Sequence, residues 1–275
     1  MKSKFKKWAA ALGLGLMMVS AAAMGIHAED IAVYTDGLLY DGEVRLINQS
    51  TYVGLREFSC AVDNSVVSWD GGTNTASVST DSLKLTAANG GSYLIANGRY
   101  LWCSEGIFTD NGVLYVPLRT LSKAFGFRCR WNGEDNSVHL TRERGALVSA
   151  DSYYHAEDIY WLSRIIHAEA QGEPFLGKLA VGTVILNRTE AEQFPDNLYD
   201  VIFDRKHGVQ FTPTVNGQIY NIPGEDSVIA AKLCLDGYRL SDSVLYFLNP
   251  RLASSFWIPN NCTFVASIGG HDFYS

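Results

Sequence analysis

Past the first thirty residues, the period of the apolar positions divides the chain in two. From Ile31 to about Arg142, short alternating or β-rich runs are broken by Asp36-Gly37, Asn97-Gly98 and Asn111-Gly112. Such dipeptides supply the two positive φ angles of a tight hairpin, so this stretch is predicted to be mainly β. Near Ala156 the period lengthens toward 3.6. Ile159, Leu162, Ile165, Ile166 and Glu169 then share one face of a helix that stops before Gly172 and Pro174. A second helix is predicted from about Leu176 to Arg188; it is apolar almost all round, which requires burial. A third starts at an acidic cap near Glu225 or Asp226 and runs to about Tyr238. From Val244 to Ser275 the pattern is loop and short strand with many aromatic residues. The expected class is α+β multidomain, a mainly β part followed by a mainly α part.

The β part repeats itself. Thr51-Tyr-Val-Gly-Leu-Arg56 is followed by Trp69 and then Asn74-Thr-Ala-Ser-Val78. Leu114-Tyr-Val-Pro-Leu-Arg119 is followed by Trp131 and then Asn136-Ser-Val-His-Leu140. The unit is strand, short helix, hairpin, used twice, at about 31–80 and 92–142. Trp69 and Trp131 hold equivalent places and are expected to be buried. The pattern resembles the stalk repeat at the N-terminus of some copper amine oxidases and on secreted bacterial proteins. That resemblance implies a spacer or a wall-facing binding module. It carries no redox machinery, and the segment has no cluster of histidines that could hold copper.

Residues 1–28 read as a signal peptide. Lys2, Lys4, Lys6 and Lys7 precede an apolar run from Trp8 to about Ile26, with small residues near Gly25 and Ala28 for cleavage. A retained anchor is the alternative, since the run is close to the length that spans a bilayer. Cleavage changes the charge. Without the four lysines, 18 of the 22 basic residues remain against 29 acidic ones, and the net charge moves from −7 to −11. So acidic a protein does not hold nucleic acid or an anionic membrane by electrostatics. Five cysteines follow the leader, with no C-x-x-C pair, so a zinc ribbon or dithiol centre is not expected. Export permits disulfides; Cys234 with Cys262 is the favoured bridge, and buried free thiols are the equal alternative. The segments are then 29–142 for the stalk-like repeats, 143–155 for a linker and 156–275 for the helical domain.

Common catalytic signatures are missing: there is no G-x-S-x-G, H-E-x-x-H, P-loop or G-x-G-x-x-G. The informative stretch is His167-Ala-Glu169-Ala-Gln-Gly-Glu173-Pro174. A carboxyl at the end of an apolar helical face is partly desolvated, which raises its pKa toward that of a general acid working near neutrality. Local capping by Glu169 is the competing explanation. Glu173, between Gly172 and Pro174, is expected to cap backbone N–H groups at the start of the second helix.

Two longer blocks settle the comparison of motifs. Leu162-Ser-Arg-Ile-Ile-His-Ala-Glu-Ala-Gln-Gly-Glu-Pro174 and Gly177-Lys-Leu-Ala-Val-Gly-Thr-Val-Ile-Leu-Asn-Arg188 resemble the cell wall hydrolase family of the spore cortex-lytic enzyme SleB. So do Phe194-Pro195, Gln210-Phe211, Tyr246-Phe247-Leu248-Asn249-Pro250 and the ending Ile268-Gly-Gly-His271-Asp-Phe-Tyr274. The likeness runs from Asp158 to the C-terminus. It implies a lysozyme-like, mainly α domain that cuts the glycan strands of peptidoglycan, with the first glutamate of the E-A-x-G-E-P block, here Glu169, as catalytic acid.

A lone glutamate favours a lytic transglycosylase, which uses one carboxyl first as acid and then as base and leaves a 1,6-anhydromuramic end. Hydrolysis by a muramidase or glucosaminidase ordinarily needs two carboxylates, and Asp196, Asp200 or Asp204 is then the second. A non-catalytic wall-binding protein is the reading from a different class. Gln210, Asn249 and His271 are candidates to hydrogen-bond sugar groups, and Phe211, Tyr246 and Phe247 to supply apolar faces; core packing or turn capping fits each equally well. No metal ligand set and no cofactor is expected, and His271 has no partner ligands at suitable spacing. The expected partner is peptidoglycan, with wall contact through the stalk repeats, no nucleic acid, and no stable membrane insertion once the signal is removed. The expected location is secreted, at a bacterial cell wall. Spore cortex and vegetative wall both remain open.

Overall fold

The computed structural model describes residues 31–206, 208–253 and 255–275; the expected signal peptide, residues 1–28, lies outside them. The β half opens with β1 (Ala32–Thr35), β2 (Leu38–Leu39), β3 (Val44–Ile47), β4 (Ser50–Gly54) and α1 (Leu55–Val62). It continues through β5 (Val66–Asp70), β6 (Thr75–Ser79), β7 (Lys84–Ala88), β8 (Tyr93–Ala96) and β9 (Arg99–Trp102). It closes with β10 (Phe108–Asp110), β11 (Val113–Pro117), α2 (Leu118–Ala124), β12 (Phe127–Asn132) and β13 (Ser137–Arg142). Asp36-Gly37, Asn97-Gly98 and Asn111-Gly112 each hold two consecutive positive φ angles, from 48° to 82°. That is the mirror-image turn whose twist matches a hairpin.

Three sheets result, ordered β12-β13-β1-β2, β10-β11-β4-β3 and β5-β6-β7-β8-β9. The repeated strands β4 and β11 pair antiparallel with Val53 opposite Val116, which are equivalent residues of the two copies. The duplication is therefore a local twofold about that pair. The chain start, β1, is the parallel partner of β13, so the first strand completes the sheet of the second copy. Val53, Phe58, Leu118, Leu121 and Phe125 are at most 1% exposed and form the shared core. Burying each such side chain contributes about 1.5–3 kcal/mol.

Trp69 and Trp131 are not in that core. They are 46% and 50% exposed. Each sits near the end of a strand at the edge of its sheet, with its indole nitrogen beside the hairpin glycine two residues on, Gly71 or Gly133. An edge strand has one flank open to water, so a repeated aromatic there does not mark the core.

The second half contains α3 (Ala150–Tyr153), α4 (Ala156–Ala170), α5 (Phe175–Glu190), α6 (Leu198–Phe203), α7 (Pro213–Asn216) and α8 (Glu225–Leu235). Then come β14 (Tyr246–Leu248), α9 (Trp257–Asn261), β15 (Phe264–Ile268) and β16 (His271–Tyr274), with the strands ordered β14-β16-β15. α5 is the central rod. Every residue from Gly177 to Arg188 is buried, which is what its all-round apolar pattern requires. α4 and α8 pack against it, and Gly182 sets how near they come. A Cβ there would lie 2.7 Å from Cys234 Sγ and 2.9 Å from Ile166 Cδ1.

The bridge between Cys234 and Cys262 is not formed. All five cysteines are free thiols. Cys234 is fully buried between α8 and α5, where Sγ donates to the Leu179 carbonyl at 3.4 Å. No helix among the described residues is long and apolar enough to cross a membrane.

The two halves meet through β9. Arg99 Nη2 donates to Asp236 Oδ1 at 2.5 Å, with the side chains 5% and 1% exposed. The Tyr154 hydroxyl also donates to Asp236, Lys123 Nζ donates to the Asp236 carbonyl at 2.9 Å, and the Arg99 guanidinium lies 3.2 Å over the Tyr153 ring. Beside this ion pair Trp102 packs on Phe175 and Tyr238. The stretch expected to be a plain linker, 143–155, thus contains α3 and takes part in the junction.

Candidate active site

Glu169 occupies the last turn of α4, on the flank that also buries Ile165 and Ile166. The helix ends at Ala170, where the carbonyl accepts the Glu173 N–H at 3.1 Å, and Pro174 then starts α5. This turn leaves the Glu169 carboxyl at the wall of a cleft of about 1240 Å³. Burial alone pushes that carboxyl up to about 7. An acid in this range holds its proton at neutrality and can still give it away.

Glu173 does not cap α5. Its Oε2 accepts the backbone N–H of Gly270 at 2.7 Å, and its Oε1 lies 3.9 Å from His271 Nδ1. The helix end has no side-chain cap. The carboxylate is drawn away because the β15–β16 turn presents an N–H from across the cleft. His271 is 8% exposed, and burial holds it below the usual imidazole range against the opposing charges of Glu173 and Asp272. Its ring stands edge-on to Phe247 at 5.3 Å.

Arg188, from the far end of α5, carries charge into the same cleft. Its Nε donates to the Leu245 carbonyl at 2.8 Å and its Nη1 to Gln210 Oε1 at 3.2 Å. The rings of Phe194, Phe211 and Tyr246 surround its guanidinium at 4.7, 5.2 and 5.4 Å. Burial lowers its pKa to about 10, which leaves it cationic at neutrality. Asn249, just after β14, accepts the Arg251 N–H at 3.0 Å with its Oδ1, which fixes the turn. Trp257, 56% exposed on the rim, meets Tyr246 edge to face at 5.9 Å.

The structure gathers Glu169, Gln210, Phe211, Tyr246, Asn249 and His271, together with Phe247, around this one cleft. Phe211 is 3% exposed, so it serves as floor and packing at once. Of the three aspartates weighed as a second carboxylate, Asp204 lines the cleft and Asp196 and Asp200 do not. Asp200 is engaged by Asn197, the cap of α6. Sequence reasoning missed Arg188 and Trp257. An arginine closing an otherwise apolar buried helix was the signal for Arg188; Trp257 had none.

Comparison with known proteins agrees with this division. Residues 172–274 match the cell wall hydrolase model, and residues 36–140 match the copper amine oxidase N-terminal domain model. The spore cortex-lytic enzyme of Halalkalibacterium halodurans is 38% identical over 120 residues, 44% of this chain and 35% of that one. The spore cortex-lytic enzyme of Bacillus subtilis is 39% identical over 126 residues, 46% of this chain and 40% of that one. The chain thus spans well under half the length of these relatives. The catalytic domain of the germination-specific lytic transglycosylase SleB from Bacillus anthracis is 35% identical, covering 44% of this chain and 97% of that one with a TM-score of 0.41. The chain carries a cell wall hydrolase domain in its helical half, preceded by a copper amine oxidase N-terminal-like domain.

Proposed function

We propose that this protein cleaves the glycan strands of peptidoglycan as a lytic transglycosylase, with Glu169 as acid and then base. The observation that carries the reading is that, of the three carboxyls lining a large cleft with aromatic sides, Glu169 is the one that burial raises to about 7. Protonated Glu169 gives its proton to the leaving glycosidic oxygen as the C1–O bond breaks. The carboxylate so formed takes the proton of the muramic C6 hydroxyl as that oxygen bonds to C1. The proton count closes on one group, and no water is consumed. Phe194, Tyr246 and Trp257 offer faces to sugar rings, and Gln210, held by Arg188, and Asn249 offer amides to N-acetyl groups. The place of action is outside the cell membrane, at wall or cortex.

A hydrolytic reading is favoured by one observation: Asp204 lines the same cleft and is a candidate to activate water. Mass analysis of fragments from vegetative peptidoglycan and from δ-lactam-containing cortex separates the two. Products one water lighter than hydrolytic fragments, absent with Glu169→Gln, are expected. Reducing ends that vanish with Asp204→Asn establish hydrolysis. No cleavage of either substrate assigns the protein to the wall-binding class.

A further inference from the structure

The β half has a cavity of its own. About 490 Å³ opens between the sheet containing β12–β13 and the sheet containing β3–β4, within the roughly 300–1,000 Å³ range of small-ligand sites. Its floor is apolar, made by Leu46, Leu118, Cys129 and Val138. Its sides are polar: Gln49, Thr51 and Ser104 supply amide and hydroxyl groups, while the Thr120 hydroxyl donates to the Trp102 carbonyl at 3.0 Å. The indole of Trp131, half in solvent, forms one wall. Arg119, exposed at the rim, is the one charged group among the described lining residues.

Each part of this lining asks something of a ligand. A flat indole facing water suits a ring with one C–H face. A rim of neutral donors and acceptors suits hydroxyl and acetamido groups. A single arginine, in a chain of net charge −7, suits a carboxylate, which it binds in bidentate fashion. A saccharide bearing a carboxylate meets all three demands at once. We propose that this pocket is a second glycan-binding site, separate from the cleft, which takes an acid-substituted amino sugar of the wall on Trp131 and Arg119. The proposal rests on the peptidoglycan reading above. It also gives Trp131 a reason to be in water where the fold does not need it. Trp69, its equivalent in the first copy, does not line the pocket and serves as the internal control.

The test uses the full chain made inactive by Glu169→Gln, so that bound wall is not consumed. Sedimentation with purified sacculi is compared for this parent and for the same protein carrying Trp131→Ala, Arg119→Gln or Trp69→Ala. A loss of fivefold or more with each of the first two, and none with the third, is the expected result. Thiol footprinting at Cys129, a floor residue, supplies a local readout: a soluble disaccharide-peptide should slow its alkylation at least threefold in the parent and not in Trp131→Ala. Unchanged sacculus binding by both pocket variants, or unprotected Cys129, overturns the site. Equal losses with Trp69→Ala and Trp131→Ala also overturn it. The reading of the cleft fails by a different sign, namely wild-type protein that leaves peptidoglycan intact.

Discussion

Glu173 Oε2 accepts the N–H of Gly270 at 2.7 Å, which ties the turn before His271 to the loop after Glu169. The two walls of the cleft are therefore fixed to each other by one carboxylate. The turn can approach so closely because it lacks side chains. Gly269 has φ +60°, and a Cβ there would collide with Glu173 Oε2.

Gly269→Ala is expected to destabilise the protein by about 2–4 kcal/mol, combining left-handed backbone strain with the clash. The Cβ would also lie 2.7 Å from the rigid Pro174 Cδ, but the closer clash is with the flexible end of Glu173, so Glu173→Ala should remove part of that cost. Urea unfolding of the two single variants and the double variant measures the coupling. Strictly additive losses rule out the contact as the source.

The acid role proposed for Glu169 dictates a pH profile. The group must start protonated, so kcat/KM should be level below about pH 7 and fall tenfold per unit above it. A carboxyl that later serves as its own base adds no acidic limb. A bell with a second limb near the ordinary carboxylate range points instead to a water-activating partner such as Asp204.

The same shift acts on stability. Unfolded, the Glu169 carboxyl ionises near its ordinary value of 4.5; folded, near 7. Between those values the unfolded state releases its proton first, so folding weakens as pH rises, by up to about 3 kcal/mol at pH 8. Glu169→Gln escapes this penalty. It should melt above the parent at pH 8, with the gap closing as pH falls toward 4.5. A gap that does not change with pH refutes the shift.

Asp236→Ala leaves the Arg99 guanidinium buried without a partner. Such a loss costs about 3–5 kcal/mol, whereas replacing both members by apolar groups is often near neutral. Arg99→Met with Asp236→Leu should therefore recover most of the stability lost in Asp236→Ala, as read from denaturant midpoints. No recovery means the charge pair itself, rather than its packing, holds the junction.

Much of this was legible in the sequence because it is local. The hairpin dipeptides, the two copies of the β unit and the period of α4, α5 and α8 each depend on neighbours a few residues away. The placement of Glu169 followed from the same periodicity. What escaped depends on partners far along the chain. Glu173 was read as a cap, yet its acceptor role is set by Gly270, 97 residues on. Arg99 meets Asp236 across 137 residues, and no local pattern announces the pair. Trp69 and Trp131 looked like core because repeats preserve core; sheet order, a long-range property, put them at edges.

The junction at Asp236 changes what the connection between the halves is for. With Arg99, Tyr154 and the Trp102 ring contacts holding the β half against α5 and α8, the segment between the halves is itself part of what fixes them. The joint is a weld and not a hinge. Under the proposed function, whatever grips the β half therefore also aims the cleft, and the glycan bond to be cut lies at a set offset from the point of attachment. The molecule is a gauge of fixed span.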